Sequence, residues 1–270
     1  MSRSPLPPNM PIVPRLPDKA RIKLIGAGGV GGIVCRFGLM FACSLAQKQG
    51  TDVDWVIIDG DEFEEANRSR MFFSRHGFKA TVMRDDLRNL VEDSRVTLTA
   101  VPKYIDEQNL PTLIQDDDIV LVCVDNNATR KLVSDYCDLE LRRFALFSAG
   151  NDGIGESSSG RLVRGTYGNC QVFLRGRLTS PSLTQHHAEV ANPTDKLPTE
   201  IHCTELIASQ PQVLFANLAA ASSLLNALFL YLSDSLHYSE LAFDIAEGRM
   251  RPLEIPAPQA SPQLAVQRFS

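Results

Sequence analysis

The chain predicts an α/β fold: a Rossmann-like, doubly wound, mostly parallel sheet extended by antiparallel strands. Three observations predict it. Short apolar segments alternate with segments of helical period as far as about residue 153. A glycine array, Gly26-Ala-Gly28-Gly29-Val-Gly31, separates the first strand from the first helix. Beyond about residue 153 the pattern changes to glycine-punctuated strands, which suit an antiparallel extension.

Taken in order, "RIKLIGAG" reads as a strand and "GIVCRFGLMFACSLAQKQG" as a helix closed by Gly50. "VDWVIID" is the second strand, followed by the helix "KATVMRDDLRNLVED" and the strand "VTLTAVPKYI". A short helix "LPTLIQD", a buried strand "DIVLVCVD", the helix "ATRKLVSDYCDLELR" and the strand "FALFSAGND" complete the alternating part. "GRLVRGTYG" and "NCQVFLRGR" are the expected antiparallel strands. Residues 178–203 are polar, rich in His, Pro and Thr, and without a period, so they are expected as an irregular crossover loop. The apolar run 218–232 reads as a buried helix, and "ELAFDIAEGRMRPL" as one closing strand. Residues 1–18, with six prolines, are expected as a flexible arm, residues 19–252 as the folded domain and residues 253–270 as an irregular tail.

Composition excludes several classes. With 270 residues and 44% hydrophobic content the chain can bury a sizeable core, and its net charge of -5 argues against nucleic-acid binding. Six cysteines without a C-x-x-C pair make neither a disulfide framework nor a zinc knuckle, which fits a reducing cytoplasm. The N-terminus lacks the layout of a signal peptide, and the longest apolar run is too short and too rich in Ser and Asn to be read as a membrane span.

The chemistry gathers at strand ends. In the glycine array, Gly26 permits a tight turn, Gly28 lets backbone approach a phosphate and Gly31 lets helix pack on strand, while the helix N-terminus attracts the anion. Asp59, at the end of the second strand, is placed to accept ribose hydroxyls. A dinucleotide site needs nothing further, yet Asp61, then Asn67 and Arg70 three residues apart, then Lys79 follow. Arg70 and Lys79 suit a triphosphate lying over the glycine loop, and Asp125, ending a buried strand with Arg130 beyond it, suits Mg2+.

In this order and at these spacings, Gly26-Ala-Gly28-Gly29-Val-Gly31, Asp59-Gly-Asp61, Asn67-Arg-Ser-Arg70, Lys79 and Asp125-Asn126-Asn-Ala-Thr-Arg130 resemble one family. It is the ubiquitin-activating-enzyme-like adenylyltransferases, the ThiF/MoeB/HesA group, and in general look and length the chain resembles its bacterial PRTRC-system branch. The resemblance implies a homodimer that uses ATP and Mg2+ to adenylate the C-terminal carboxylate of a small ubiquitin-like (β-grasp) protein. It assigns Asp59 to the ribose, Asn67, Arg70 and Lys79 to the phosphates, and Asp125 to the metal. Three departures stand out. Met71 replaces a common glutamine, and the paired C-x-x-C motifs of many members are missing, so no structural zinc is expected. A basic residue that many members supply near the N-terminus has only Arg15 and Arg21 as candidates.

Cys203-Thr204 follows the crossover segment and precedes a helix, a placement that in some relatives carries a thioester-forming nucleophile. A helix N-terminus would favour its thiolate, and a buried capping cysteine is the competing reading. His186 and His187 read as solvated loop residues rather than metal ligands. Two alternatives to the adenylyltransferase remain: a non-catalytic module that docks a β-grasp protein, and an NAD(P)-dependent oxidoreductase, which leaves Asn67, Arg70, Lys79 and Asp125 without roles.

Overall fold

The structure, a computed structural model, describes residues 11–63, 71, 73–156, 162–200 and 212–254. Among them β1 (Lys19–Ile25), β2 (Asp52–Ile58), β3 (Val96–Val101), β4 (Ile119–Val122) and β5 (Phe144–Asn151) form the parallel part of an eight-stranded sheet. Strand order is β10-β9-β8-β5-β4-β1-β2-β3, with β8 (Tyr167–Arg175), β9 (Tyr238–Asp244) and β10 (Arg249–Glu254) antiparallel. A separate short hairpin joins β6 (Ile154–Glu156) to β7 (Leu162–Arg164).

The chain runs outward from β1 through β2 to β3, then returns to β4 on the other side of β1. That reversal splays the loops that follow β1 and β4, and opens the crevice in which ligands of such sheets bind.

Strand alternation divides the core into two layers. Leu24, Trp55, Leu121 and Phe147 face the layer covered by α1 (Gly29–Gln49), α2 (Lys79–Asp86), α3 (Arg88–Val91) and α8 (Leu214–Leu232). Ile25, Ile58, Val122 and Leu146 face the layer of α4 (Leu110–Leu113), α5 (Asn127–Glu140), α6 (Leu183–His186) and α7 (Ala188–Ala191). Each fully buried large side chain contributes about 1.5–3 kcal/mol.

Helices α1 and α8 pack side by side and run parallel. Gly29 meets Asn217, Gly38 meets Leu225 at 3.2 Å from its virtual Cβ, and the Phe41 and Phe229 rings lie 6.1 Å apart. By length and composition both are apolar enough to cross a bilayer; here they pack on each other and on the sheet.

Several expectations need correction. "KATVMRDDLRNLVED" is two helices divided at Leu87 rather than one. The boundary between "GRLVRGTYG" and "NCQVFLRGR" falls inside the continuous strand β8. The single closing strand is a hairpin, β9 and β10, turning at Gly248 with φ +60°. The described part of the crossover segment is not irregular throughout, since it holds α6, α7 and a 3-10 turn at Pro198–Glu200. A Ser182–Gln185 capping box starts α6, a local signal that single-turn helices give too weakly to stand out in a polar segment.

Candidate functional site

The loop after β1 owes its shape to its glycines. Gly26 has φ +89°, and a Cβ there would stand 2.8 Å from the carbonyl oxygen of Cys123, the residue that follows β4. A side chain at Gly31 would collide with the Gly26 carbonyl, so the helix could not close on the strand. Gly28, the N-cap of α1, has among the described residues only the Met71 Cε nearby, 3.6 Å from its virtual Cβ, and this is the side on which a ligand can approach backbone. Alongside lies a cavity of about 200 Å³ lined by Gly28, Gly29, Gly32, Arg36 and Met71 among others. Met71, the departure noted in the sequence, thus reaches over the glycine loop.

Asp59 ties the two strand ends together. Its carboxylate accepts from the Ala27 N–H of the glycine loop at 2.5 Å and from the Asp61 N–H at 2.8 Å. Burial pushes its pKa up to about 6, against the pull of the nearby Lys79 ammonium. Each carboxylate oxygen retains acceptor capacity beyond its one backbone bond.

Asp61 and Lys79 form a unit. The Lys79 Nζ lies 2.8 Å from Asp61 Oδ2, and the Lys79 N–H donates to the Asp61 carbonyl at 2.8 Å. Tyr104 donates its hydroxyl to the other Asp61 oxygen. Burial works to raise the Asp61 carboxyl, but Lys79 and the Tyr104 hydrogen bond outweigh it and hold it below the usual carboxylate range. Lys79 is buried, its charge poised at the start of α2 beside Asp59. Tyr104 was not singled out from the sequence. Its signal was Gly60, where a Cβ would stand 2.5 Å from the Tyr104 backbone nitrogen.

Across the crevice, Asp125 is exposed after β4. Asn126 caps α5, accepting from Thr129 N–H at 3.0 Å. Arg130 is buried; it donates to the Val124 carbonyl at 2.9 Å, and its guanidinium occupies the space that a side chain at Gly150 would fill. Burial lowers its pKa, and Asp125 works to restore it. Asp195, from the crossover segment, accepts from the Asn127 and Ala128 N–H groups at 2.7 and 2.9 Å. It fills the N-terminus of α5, a role invisible in sequence because the two elements lie 67 and 68 positions apart.

The neighbouring clasp corrects the reading of His187 as a solvated residue. Its Nε2 is 3.1 Å from Glu240 of β9 and its Nδ1 is 3.0 Å from Glu189 of α7, while Asn169 of β8 donates to Glu240 at 2.9 Å.

Arg21 and Arg15 lie away from the glycine loop of this chain. Arg21 sits near the start of β1, bonded to Asp118 and to the Asp116 carbonyl, and the Arg15 N–H donates to Leu232 at the C-terminal end of α8. Both therefore lie at the sheet edge opposite the glycine loop. Asn67, Arg70 and Cys203 lie outside the described residues. Asp59, Asp61 and Lys79 are drawn together with Gly26, Gly28, Gly29 and Gly31, and Asp125 stands on the facing wall.

The comparisons with known proteins decide the family. The ThiF family matches residues 16–263. The chain belongs to the ThiF family. Similar proteins include the adenylyltransferase and sulfurtransferase uba4 of Aspergillus fumigatus, 33% identical over 118 residues, and that of Aspergillus clavatus, 33% identical over 120. Each match covers 43% of this chain and 22% of the relative, so the chain matches about a fifth of the length of these curated relatives. Among solved structures, E. coli MccB with ATP is similar with a TM-score of 0.59 at 17% identity, covering 90% of this chain and 66% of that one. The fold of this ThiF-family chain is therefore that of MccB, with an α/β Rossmann-like sheet of eight strands.

Proposed function

We propose that this chain is an adenylyltransferase that uses ATP to activate the C-terminal carboxylate of a small ubiquitin-like (β-grasp) protein. The observation that carries the reading is the buried Asp59 carboxylate, held by the glycine loop beside the open face of Gly28 at the switch point of the sheet. Family membership, relatives named adenylyltransferase and a structural neighbour solved with ATP support it.

The residues present fit a nucleotide with a divalent cation. The first turn of α1 carries no acidic side chain and its N-cap makes no side-chain bond, which leaves its N–H groups for phosphate oxygens. Asp59 would hold the ribose, with Asn67, Arg70 and Lys79 on the phosphates. Asp125, an exposed carboxylate, suits a cation that keeps most of its shell as water and phosphate oxygen. Mg2+, when bound there, would supply charge neutralisation between phosphates.

In the reaction, the partner's terminal carboxylate attacks the α-phosphorus, an acyl–phosphate bond forms and the bond to the β-phosphate oxygen breaks, releasing pyrophosphate. No general base is needed, because a terminal carboxylate is already ionised at neutral pH. The chain's contribution is positioning and charge neutralisation. Lys79 would have to share its charge between Asp61 and the phosphates, a change that its 2.8 Å ion pair makes local.

The test is exchange of label between ATP and pyrophosphate, expected only with a β-grasp protein bearing a free C-terminus. Asp125→Ala should abolish exchange; exchange at the wild-type rate would sink the assignment of that carboxylate. A homodimer belongs to the same reading. Phe37, Met40 and Phe215 are 51%, 50% and 69% exposed along the α1–α8 pair, an apolar face suited to a second copy. Light scattering should give twice the 29.8 kDa of one chain, and a single-chain mass at micromolar concentration would refute it.

A further inference from the structure

Among the described residues, three helices of more than three turns begin at the carboxyl edge of the sheet: α1, α5 and α8. The N-terminus of α5 is closed by Asn126 and Asp195. Those of α1 and α8 have no side-chain cap among the described residues and no acidic residue in the first turn. Because these two helices are parallel and in register from Gly29 against Asn217 to Phe41 against Phe229, their positive ends lie together.

Asn217 lies at that junction. It is 0% exposed, and neither its Nδ2 nor its Oδ1 has a hydrogen-bond partner among the described residues. An orphaned buried amide is costly, and most such groups in proteins are satisfied. Its direction is defined. Nδ2 is the atom nearest to the place a Gly29 Cβ would occupy, with Cγ behind it at 3.2 Å, so the donor end is aimed at the first residue of α1. A Cβ at position 29 would collide with the Asn217 amide and meet the Gln212 Oε1 at 3.5 Å, which accounts for the glycine better than the turn does, since Gly29 is already helical.

We infer that the paired N-termini of α1 and α8, with the Asn217 amide between them, form a phosphate-oxyanion subsite reached across Gly29. The inference deepens the reading given above. It assigns to this subsite the terminal phosphates of the nucleotide or the pyrophosphate they become, and it makes Asn217 a ligand residue. The chemistry is that of an anion meeting two helix N-termini that have no side-chain cap among the described residues, together with one amide donor. Asn217 is kept polar on the α1-facing side of its helix because a bound anion can accept from Nδ2, the donor that the described residues leave unsatisfied.

The experiment is titration calorimetry of the full chain with inorganic pyrophosphate, ATP and AMP, for wild type, Asn217→Leu and Asn217→Asp, with a melting curve for each. Leucine matches the side chain's size and removes both orphaned atoms, so N217L should melt no lower than wild type. It should bind pyrophosphate at least tenfold more weakly, which corresponds to about 1.4 kcal/mol, and bind AMP within about threefold of wild type. A parallel loss for ATP assigns the bound terminal phosphates to the subsite; a loss for pyrophosphate alone assigns the leaving product. Should N217L not fold, N217D carries the test at some cost in melting temperature, because its negative charge, set between the two helix ends, should abolish pyrophosphate binding. Folded N217L or N217D that binds pyrophosphate like wild type, or wild type that does not bind it, overturns the inference. The titrations need no protein substrate. Absence of ATP–pyrophosphate exchange in wild type, alongside Asn217-dependent binding, would therefore sink the adenylation reading and leave the subsite standing.

Discussion

Replacing Asp59 with Asn separates the residue's structural work from its binding work. Burial moves the carboxyl from 3.8 to about 6, so keeping it ionised at pH 7 costs roughly 3 kcal/mol relative to the unfolded chain. Asparagine removes that cost. It also offers one acceptor oxygen to two backbone donors, the Ala27 and Asp61 N–H groups at 2.5 and 2.8 Å, so one N–H is left facing an NH2 group. An unsatisfied buried donor costs about 1–3 kcal/mol. The two effects oppose each other at similar size, and Asp59→Asn should melt within a few degrees of wild type. Nucleotide affinity has no such offset. A hydrogen bond from a ribose hydroxyl to a charged acceptor contributes about 1.5–3 kcal/mol, so ATP and AMP should each bind roughly 10- to 100-fold more weakly. Calorimetric titration with both nucleotides, beside a thermal melt, reads the two quantities separately. Wild-type affinity should also decline as pH falls through about 6, where Asp59 takes up its proton, and the variant should lack that inflection. Unchanged nucleotide affinity, or destabilisation well beyond 3 kcal/mol, would show Asp59 to be a strut of the glycine loop and not a ligand residue.

Both nitrogens of His187 face carboxylates, which only accept, so the clasp requires the imidazolium. The Glu240 hydrogen bond chiefly raises the His187 pKa above its ordinary 6.5; burial raises that of Glu240, but His187 and Asn169 outweigh it and bring it below 4.5. The histidine's stabilisation is complete below pH 6.5 and lost as pH rises through the raised value; the glutamate's is complete above pH 4.5 and lost on acidification. Amide exchange in Ala188–Ala191, corrected for intrinsic rate, should therefore be slower at pH 6 than at pH 9, and equal protection would refute the clasp. Cys203→Ala should keep pyrophosphate exchange and lose any reductant-sensitive adduct with the partner protein. If the wild type exchanges yet forms no such adduct by intact mass, Cys203 takes no part in the chemistry.

The sequence by itself determined the alternating sheet, because strand and helix periods are local properties of side-chain order. It also determined the glycine loop, since Gly26 and Gly31 are demanded by contacts within one strand–turn–helix unit and the adjacent strand. The placement of Asp59 and Asp125 at strand ends follows from the same local logic. What depends on long-range packing was decided only by the tertiary structure. The closing hairpin escaped notice because Arg249–Glu254, exposed along its whole length and containing Pro252, has the character of an edge strand and lacks the apolar alternation of a buried one. Tyr104 on Asp61, Asp195 on α5 and His187 on Glu240 join residues 43, 67 or more, and 53 positions apart, and no local pattern encodes such pairings. Asn217 is the clearest case. In sequence it is one amide in an apolar helix; only the parallel packing of α8 on α1 sets it, without a hydrogen-bond partner among the described residues, against the first glycine of the helix that the glycine loop begins.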